Sequence, residues 1–193
     1  EGAPFDVMAF QEADNIWWPL GDAGLNEDEY STEGDLGMAL VWRRIAWKRL
    51  GSGIERIAED RSDQWYGRRA VLWVRLEHRE TKKRLLFANH HGPLPLHSGG
   101  LCGGKATAYN ILKVLDQKSQ PGDLIVLAGD FNAGPSSETV MELERGLHRI
   151  FTGKSFGGVD NFFSNCAGPV IFRTRNLGSG GSDHEALLAA FTI

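Results

Sequence analysis

The apolar run Leu124-Ile125-Val126-Leu127-Ala128, closed at once by Gly129-Asp130-Phe131-Asn132, constrains the fold more than any other stretch of the chain. A continuous apolar segment this short, ended by a glycine and polar groups, reads as a buried strand. Such a strand needs cover, and the rest of the sequence supplies it. Residues 5–10, 36–42, 69–76, 84–89 and 186–191 are further strand-like runs. Ala108, Ile111, Leu112 and Leu115 recur at i, i+3, i+4 and i+7, the spacing of a helix with one buried face. Ser136 or Ser137 can cap a second helix carrying Val140, Met141, Leu143 and Leu147. Residues 19–35, with Pro19, Gly21, Gly24, Gly34 and the acidic run Glu27-Asp28-Glu29, read as a loop. This mixture predicts sheets covered by helices, an α/β or α+β layered fold. With 193 residues, no internal repeat and no linker, a single domain over residues 1–193 is expected.

The net charge of −4 argues against the uniformly basic surface of a tight nucleic-acid binder, but the charge is unevenly spread. Residues 1–35 hold ten Asp or Glu and no Lys or Arg, whereas residues 43–84 hold thirteen Lys or Arg against six acids. The basic middle can face a polyanion, or it can offset the acidic start on solvated surfaces. Trp17-Trp18 leaves a similar choice open, between stacking on a base and packing beside a core strand. No run approaches about 18 apolar residues, so no membrane span is expected. Cys102 and Cys166 permit one disulfide or two thiols. The numbering starts at Glu1 without a basic and apolar leader, compatible with a signal or upstream segment removed before it. An acidic chain with one potential bridge leans towards a secreted, extracellular setting.

Cleaving a phosphoester at neutral pH needs a divalent cation to neutralise the phosphate, a water that loses its proton as it attacks in line, and help for the departing oxygen. Magnesium is typically held by one or two protein carboxylates and keeps several waters, so single acids at strand ends are the signature to look for. Glu12 follows the first strand, Asp130 follows residues 124–128, and Asp183 precedes the last strand. Loops at one edge of a rigid sheet are where catalytic groups are commonly displayed. His91 and His184 add imidazoles whose protons move near pH 7, and Asn132 adds an amide donor.

Five pieces, Gln11-Glu12, Asn89-His90-His91, Gly129-Asp130-Phe131-Asn132, Val159-Asp160-Asn161-Phe162-Phe163 and Ser182-Asp183-His184, occur in this order over almost the whole chain. At these residues the sequence resembles the endonuclease/exonuclease/phosphatase superfamily, which includes pancreatic deoxyribonuclease, abasic-site endonucleases, deadenylases, neutral sphingomyelinases and inositol polyphosphate phosphatases. The resemblance implies a deoxyribonuclease-like, four-layer α-β-β-α sandwich of two packed mixed sheets flanked by helices. It implies that Glu12 binds Mg2+ or Mn2+, with Asp183 near the same or a second metal position. Asp130 and Asn132 would orient the attacking water and the phosphate. His184 would stabilise the pentavalent phosphorus or accept a proton, with Asp160 behind it to fix its tautomer and raise its basicity. His91 would donate to the phosphate or leaving group; a slip to His90 is open at this level, although alternation along a strand aims only one of the two at the site. Arg69 falls where several members place a basic residue near substrate, with Arg68 as the alternative.

The pattern departs from the family at its start. Members usually begin with a further strand whose terminal asparagine stands beside the metal glutamate, and only eleven residues precede Glu12 here. The resemblance therefore implies a chain short of that strand, with exposed sheet edges and weakened activity. The glycine stretch 98–104 lacks the Lys-Ser/Thr ending of a P-loop and reads as a flexible loop near the substrate. The first functional expectation is a monomeric, divalent-metal phosphodiesterase, an endonuclease acting on DNA or RNA. The second is a phosphomonoesterase or sphingomyelinase-type hydrolase of the same superfamily; against inositol phosphates, the segment around Asp160 lacks a Trp-Cys-Asp-Arg type of signature. The third is an inactive binding module, disfavoured because a bare scaffold would gain stability by losing clustered carboxylates.

Overall fold

The computed structural model describes residues 5–64, 66–167 and 171–192. The strand β1 (Val7–Phe10) is followed by α1 (Trp17–Asp22) and the hairpin β2 (Tyr30–Asp35) and β3 (Met38–Arg43). Next come the antiparallel strands β4 (Trp47–Glu59), β5 (Arg68–His78) and β6 (Arg84–His91). Helix α2 (Gly104–Lys118) crosses over to β7 (Leu124–Asp130), which lies parallel to β6. Then follow α3 (Glu138–Leu143), β8 (His148–Thr152), β9 (Asp160–Ser164), β10 (Ile171–Asn176) and β11 (Leu187–Phe191). Six strands form one mixed sheet in the order β4-β5-β6-β7-β9-β8. Among the described residues the opposing layer is divided into a three-stranded piece, β1-β3-β2, and a two-stranded piece, β10-β11.

Side-chain alternation decides which layer each residue joins. Ala70, Leu72, Val74 and Leu76 of β5, Leu85 and Phe87 of β6, and Leu124, Val126 and Ala128 of β7 face inward. They meet Met38, Leu40 and Trp42 of β3, with Val7 and Ala9 of β1 and Phe191 of β11 packed against the same core. The alternate residues Val71, Leu86, Ala88 and Leu127 face outward, where Ala108, Ile111, Val114 and Leu115 of α2 and Val140 and Leu143 of α3 cover them. On the far side, Ile16 and Leu20 pack on Tyr30, Ala39 and Val41. Helix, sheet, sheet and helix thus stack in that order, the α/β sandwich expected. Each fully buried leucine or valine contributes about 1.5–3 kcal/mol relative to exposure, and the polar ends of the strands have no share in it.

Three sequence expectations are corrected. Residues 19–35 contain most of α1 and all of β2 instead of one loop. Pro19 and the glycines favour turns, but Leu20 and Tyr30 bury against Val41 and this packing outweighs local preference. The second helix, capped by Ser137 Oγ accepting from Val140 N at 3.2 Å, ends at Leu143, and Leu147 enters the core from beyond it. The glycine stretch is a loop only to Gly103, since Gly104 opens α2, and it is packed in part: Gly99 and Gly100 are buried, a Cβ on Gly100 would overlap the Glu59 carbonyl oxygen, and Leu101 and Cys102 are exposed. Cys102 and Cys166 are free thiols. No helix among the described residues is long and apolar enough to cross a membrane.

Candidate active site

Sheet register brings the polar groups together. His91 of β6 is the partner of Asp130 of β7, and Asp130 is the partner of Asp160 of β9, so the three stand side by side at one end of the sheet. Asn89 fixes the opposing layer to this end: its Nδ2 donates to Phe10 O at 2.7 Å and Ala39 O at 3.2 Å, and its Oδ1 accepts from Gln11 Nε2 at 2.6 Å. That bridge holds the end of β1, and with it Glu12, over the row. Gly129 makes the close approach of β6 and β7 possible. Its φ is +149°, and a Cβ there would overlap the His90 carbonyl oxygen.

His184 Nδ1 lies 3.0 Å from both carboxylate oxygens of Asp160. Its Nε2 is 3.8 Å from Asp130 Oδ2, and His91 Nε2 stands at the same 3.8 Å from that oxygen. The segment before His184 is pinned by Ser182 Oγ, which accepts from His184 N, and the segment after it by Glu185 N donating to Ser155 Oγ. Asp130 Oδ1 accepts from Asn132 N at 2.7 Å, while Asn132 Nδ2 donates to Gly92 O at 2.9 Å. One amide hydrogen of Asn132 therefore remains for a ligand. Asp183 is exposed on the rim beside His184, and Glu12 is exposed beside Asp130. Arg69 is committed to Asp60 through Nε at 2.8 Å and Nη2 at 3.1 Å, so that among the described residues only its Nη1 is free of a protein acceptor. His90 points to the other face of the sheet, edge-on to Phe131, with Nδ1 2.8 Å from Ala70 O.

Electrostatics separates the roles. Burial, together with the negative charges of Asp160 and Glu12, raises Asp130 to about 6. Burial also raises Asp160 despite its hydrogen bond to His184. For His184 burial works the other way, but Asp160, then Asp130 and Asp183, outweigh it and lift its pKa. Burial and the nearby Arg69 push His91 down to about 4, so its ring is neutral at pH 7.

Ligand atoms of Asp130, Asp160 and His184 lie within 4.8 Å of one another. Glu12 and Asp183 stand outside that group. Because His184 Nδ1 is spent on Asp160, the three residues form an acid–base relay as readily as a cation cage. The carboxylates Glu12, Asp130, Asp160 and Asp183 have His184 as their nearby chargeable partner, Arg69 being tied to Asp60. Such an excess of hard oxygen donors suits Mg2+ or Mn2+.

Two residues that sequence reasoning missed border the cleft. The Phe156 ring, 52% exposed, lies 4.9 Å from the His184 ring, and His97 Nδ1 accepts from Gly134 N at 2.9 Å. Glu12, His97, Asn132 and Phe156 are four of the six non-glycine residues with positive φ among the described residues. Such strain gathers where surrounding contacts hold side chains for function. Nothing in the local sequence around Phe156 or His97 signals this.

The family model described as the Endonuclease/Exonuclease/phosphatase family matches residues 1–184. The chain belongs to this family. No curated protein matches the sequence. Among solved structures of the fold, a mannosyl-6-phosphatase of Bacteroides thetaiotaomicron is similar at TM-score 0.75 and 18% identity, over 98% of this chain and 86% of that one. The human Nocturnin catalytic domain with a bound sulfate anion is similar at TM-score 0.71 and 18% identity, over 97% and 81%. TDP2 of D. rerio in complex with a single-strand DNA product is similar at TM-score 0.68 and 16% identity, over 97% and 86%. Family membership carries phosphoester hydrolysis with a divalent metal; likeness at these identities carries the fold alone.

Proposed function

We propose that this protein hydrolyses phosphodiesters within DNA or RNA strands, with Mg2+ or Mn2+ as cofactor. The observation that carries the reading is the spacing around Asp130. His91 Nε2 and His184 Nε2 each stand 3.8 Å from its Oδ2, beyond direct hydrogen bonding, so both imidazoles face the carboxylate without being tied to it and stay open to a ligand oxygen. Glu12 and Asp183 on the rim would hold the cation, which when bound supplies charge neutralisation at the phosphate and a more acidic water. Asp130, steadied by Asn132 N, orients the attacking water and takes its proton. His184, made more basic by Asp160, presents Nε2 to the phosphoryl oxygens and stabilises their developing charge. His91, neutral through burial, donates to the phosphate or the leaving oxygen. The free end of Arg69 and the Phe156 ring border the cleft, where a strand's phosphate and ring would lie.

A second reading, hydrolysis of a sugar phosphomonoester, draws on the likeness to the mannosyl-6-phosphatase. Supercoiled plasmid, single-stranded RNA and mannose 6-phosphate, each with Mg2+ and with Mn2+, separate the two. The proposal expects nicking of plasmid or cleavage of RNA that EDTA abolishes. Release of inorganic phosphate from the sugar phosphate without any strand cleavage would replace it with the second reading.

A further inference from the structure

A groove of about 480 Å³ opens between the free edge of β2 and the start of β4. It lies at the far end of the sandwich: β5 runs from beside the cleft at Arg68 to His78, which at ~3.3 Å per residue puts the groove roughly 30 Å from Asp130. Arg44, Lys48, Arg49 and Arg79 line it together with Trp17 and Trp47. Four of the thirteen basic residues noted between 43 and 84 meet here.

Three of these four cations have no counter-ion among the described residues. Arg44 Nε donates to Tyr30 O and Ser31 Oγ, both at 2.9 Å, and Arg79 Nε donates to Arg44 O at 2.9 Å. Both guanidinium groups are thus anchored to neutral acceptors, which leaves their terminal nitrogens for a ligand. Arg49 alone meets a carboxylate, Glu33 at 3.0 Å; among the described residues none lies within 4.0 Å of Arg44, Lys48 or Arg79. Like charges held together in this way repel, and a bound oxyanion offsets that repulsion. Guanidinium forks match phosphate oxygens in geometry. The walls are partly aromatic: the half-buried Trp17 ring lines the groove beside these cations.

We infer that this groove is a second ligand site, separate from the catalytic cleft, for a molecule that joins a phosphate group to a planar ring through a short linker, as the sugar does in a nucleotide. The phosphate bridges Arg44 and Arg79 with the Lys48 ammonium as a third positive partner, and the ring stacks on Trp17. The nucleotide is either free or one unit of a strand.

Calorimetric titration of the whole protein with inorganic phosphate, uridine monophosphate and a short oligouridylate, all in EDTA, tests the assignment. Uridine monophosphate should bind at least about tenfold tighter than inorganic phosphate, and Arg79→Gln and Lys48→Gln should each weaken it roughly tenfold. Asp130→Asn should leave it unchanged, which separates this site from the cleft. Equal affinity for the monophosphate and the oligomer identifies the free nucleotide as the ligand; a much tighter oligomer identifies the strand. Absence of saturable heat with all three ligands, or affinity indifferent to both Arg79→Gln and Lys48→Gln in variants with the wild-type circular dichroism spectrum, overturns the inference.

Discussion

Asp60 sits behind the catalytic row and accepts five hydrogen bonds: from Arg69 Nε and Nη2 at 2.8 and 3.1 Å, Leu94 N at 2.8 Å, Tyr66 N at 2.9 Å and Gly67 N at 3.1 Å. Its side chain is fully buried and that of Arg69 is 12% exposed. Burial opposes the charge, but the guanidinium and the amides outweigh it and hold the carboxyl below its ordinary 3.8. Asp60→Ala removes one partner and strands the other, a change that costs about 3–5 kcal/mol for buried pairs. We expect ~4 kcal/mol, read by urea denaturation as a lower midpoint at unchanged slope. The double variant Asp60→Leu with Arg69→Met should recover most of the loss, because no unpaired charge remains. The pH dependence has a fixed sign. A carboxyl depressed in the folded state lends stability above its unfolded value, and that stability fades as pH falls through the folded value, below 3.8. A loss under about 1 kcal/mol for Asp60→Ala, or a double variant no more stable than the single one, would mean that the buried pair does not hold this part of the fold.

His90 is buried and its pKa is lowered to about 4, so the unfolded chain takes up its proton first as pH falls below 6.5. Between pH 7 and pH 5 this group should cost the fold about 2 kcal/mol, a loss that His90→Gln should reduce in urea melts at the two pH values. Gly129→Ala places a Cβ against the His90 carbonyl at a backbone φ of +149° and should destabilise by roughly 3 kcal/mol in thermal denaturation. Asp160→Asn removes the carboxylate that raises His184, so the imidazole pKa should fall by NMR titration and diester hydrolysis should drop about 100-fold with metal affinity kept.

The strands that build the inner core were legible because their apolar residues alternate or run together: β3, β5, β6 and β7 all appear as Val- and Leu-rich segments. β4 was not, although it is thirteen residues long. It is an edge strand, carries Lys48, Arg49, Glu55 and Arg56, and has Gly51 and Gly53 where the Trp73 ring lies against the backbone. β2 hides for a similar reason, since Tyr30 alone of its six residues is buried. At the cleft, Asp130, His91 and His184 were readable as polar residues near strand ends and Asp160 through the family resemblance; the register set His91, Asp130 and Asp160 in a row, and the segment before β11 brought His184 to them. The commitment of Arg69 to Asp60, the bridge made by Asn89 and the tilted contact of Phe156 with His184 depend on residues 9 to 79 positions apart, which no local pattern encodes.

In the proposed mechanism Glu12 and Asp183, from opposite ends of the chain, hold one divalent cation beside the His184–Asp160 pair. Crystals grown with Mn2+ and measured at the manganese absorption edge test this directly. The account predicts an anomalous peak about 2.1 Å from an oxygen of Glu12, on the Asp130 side of the cleft. A peak confined to other surface carboxylates, or none at saturating Mn2+, would contradict it.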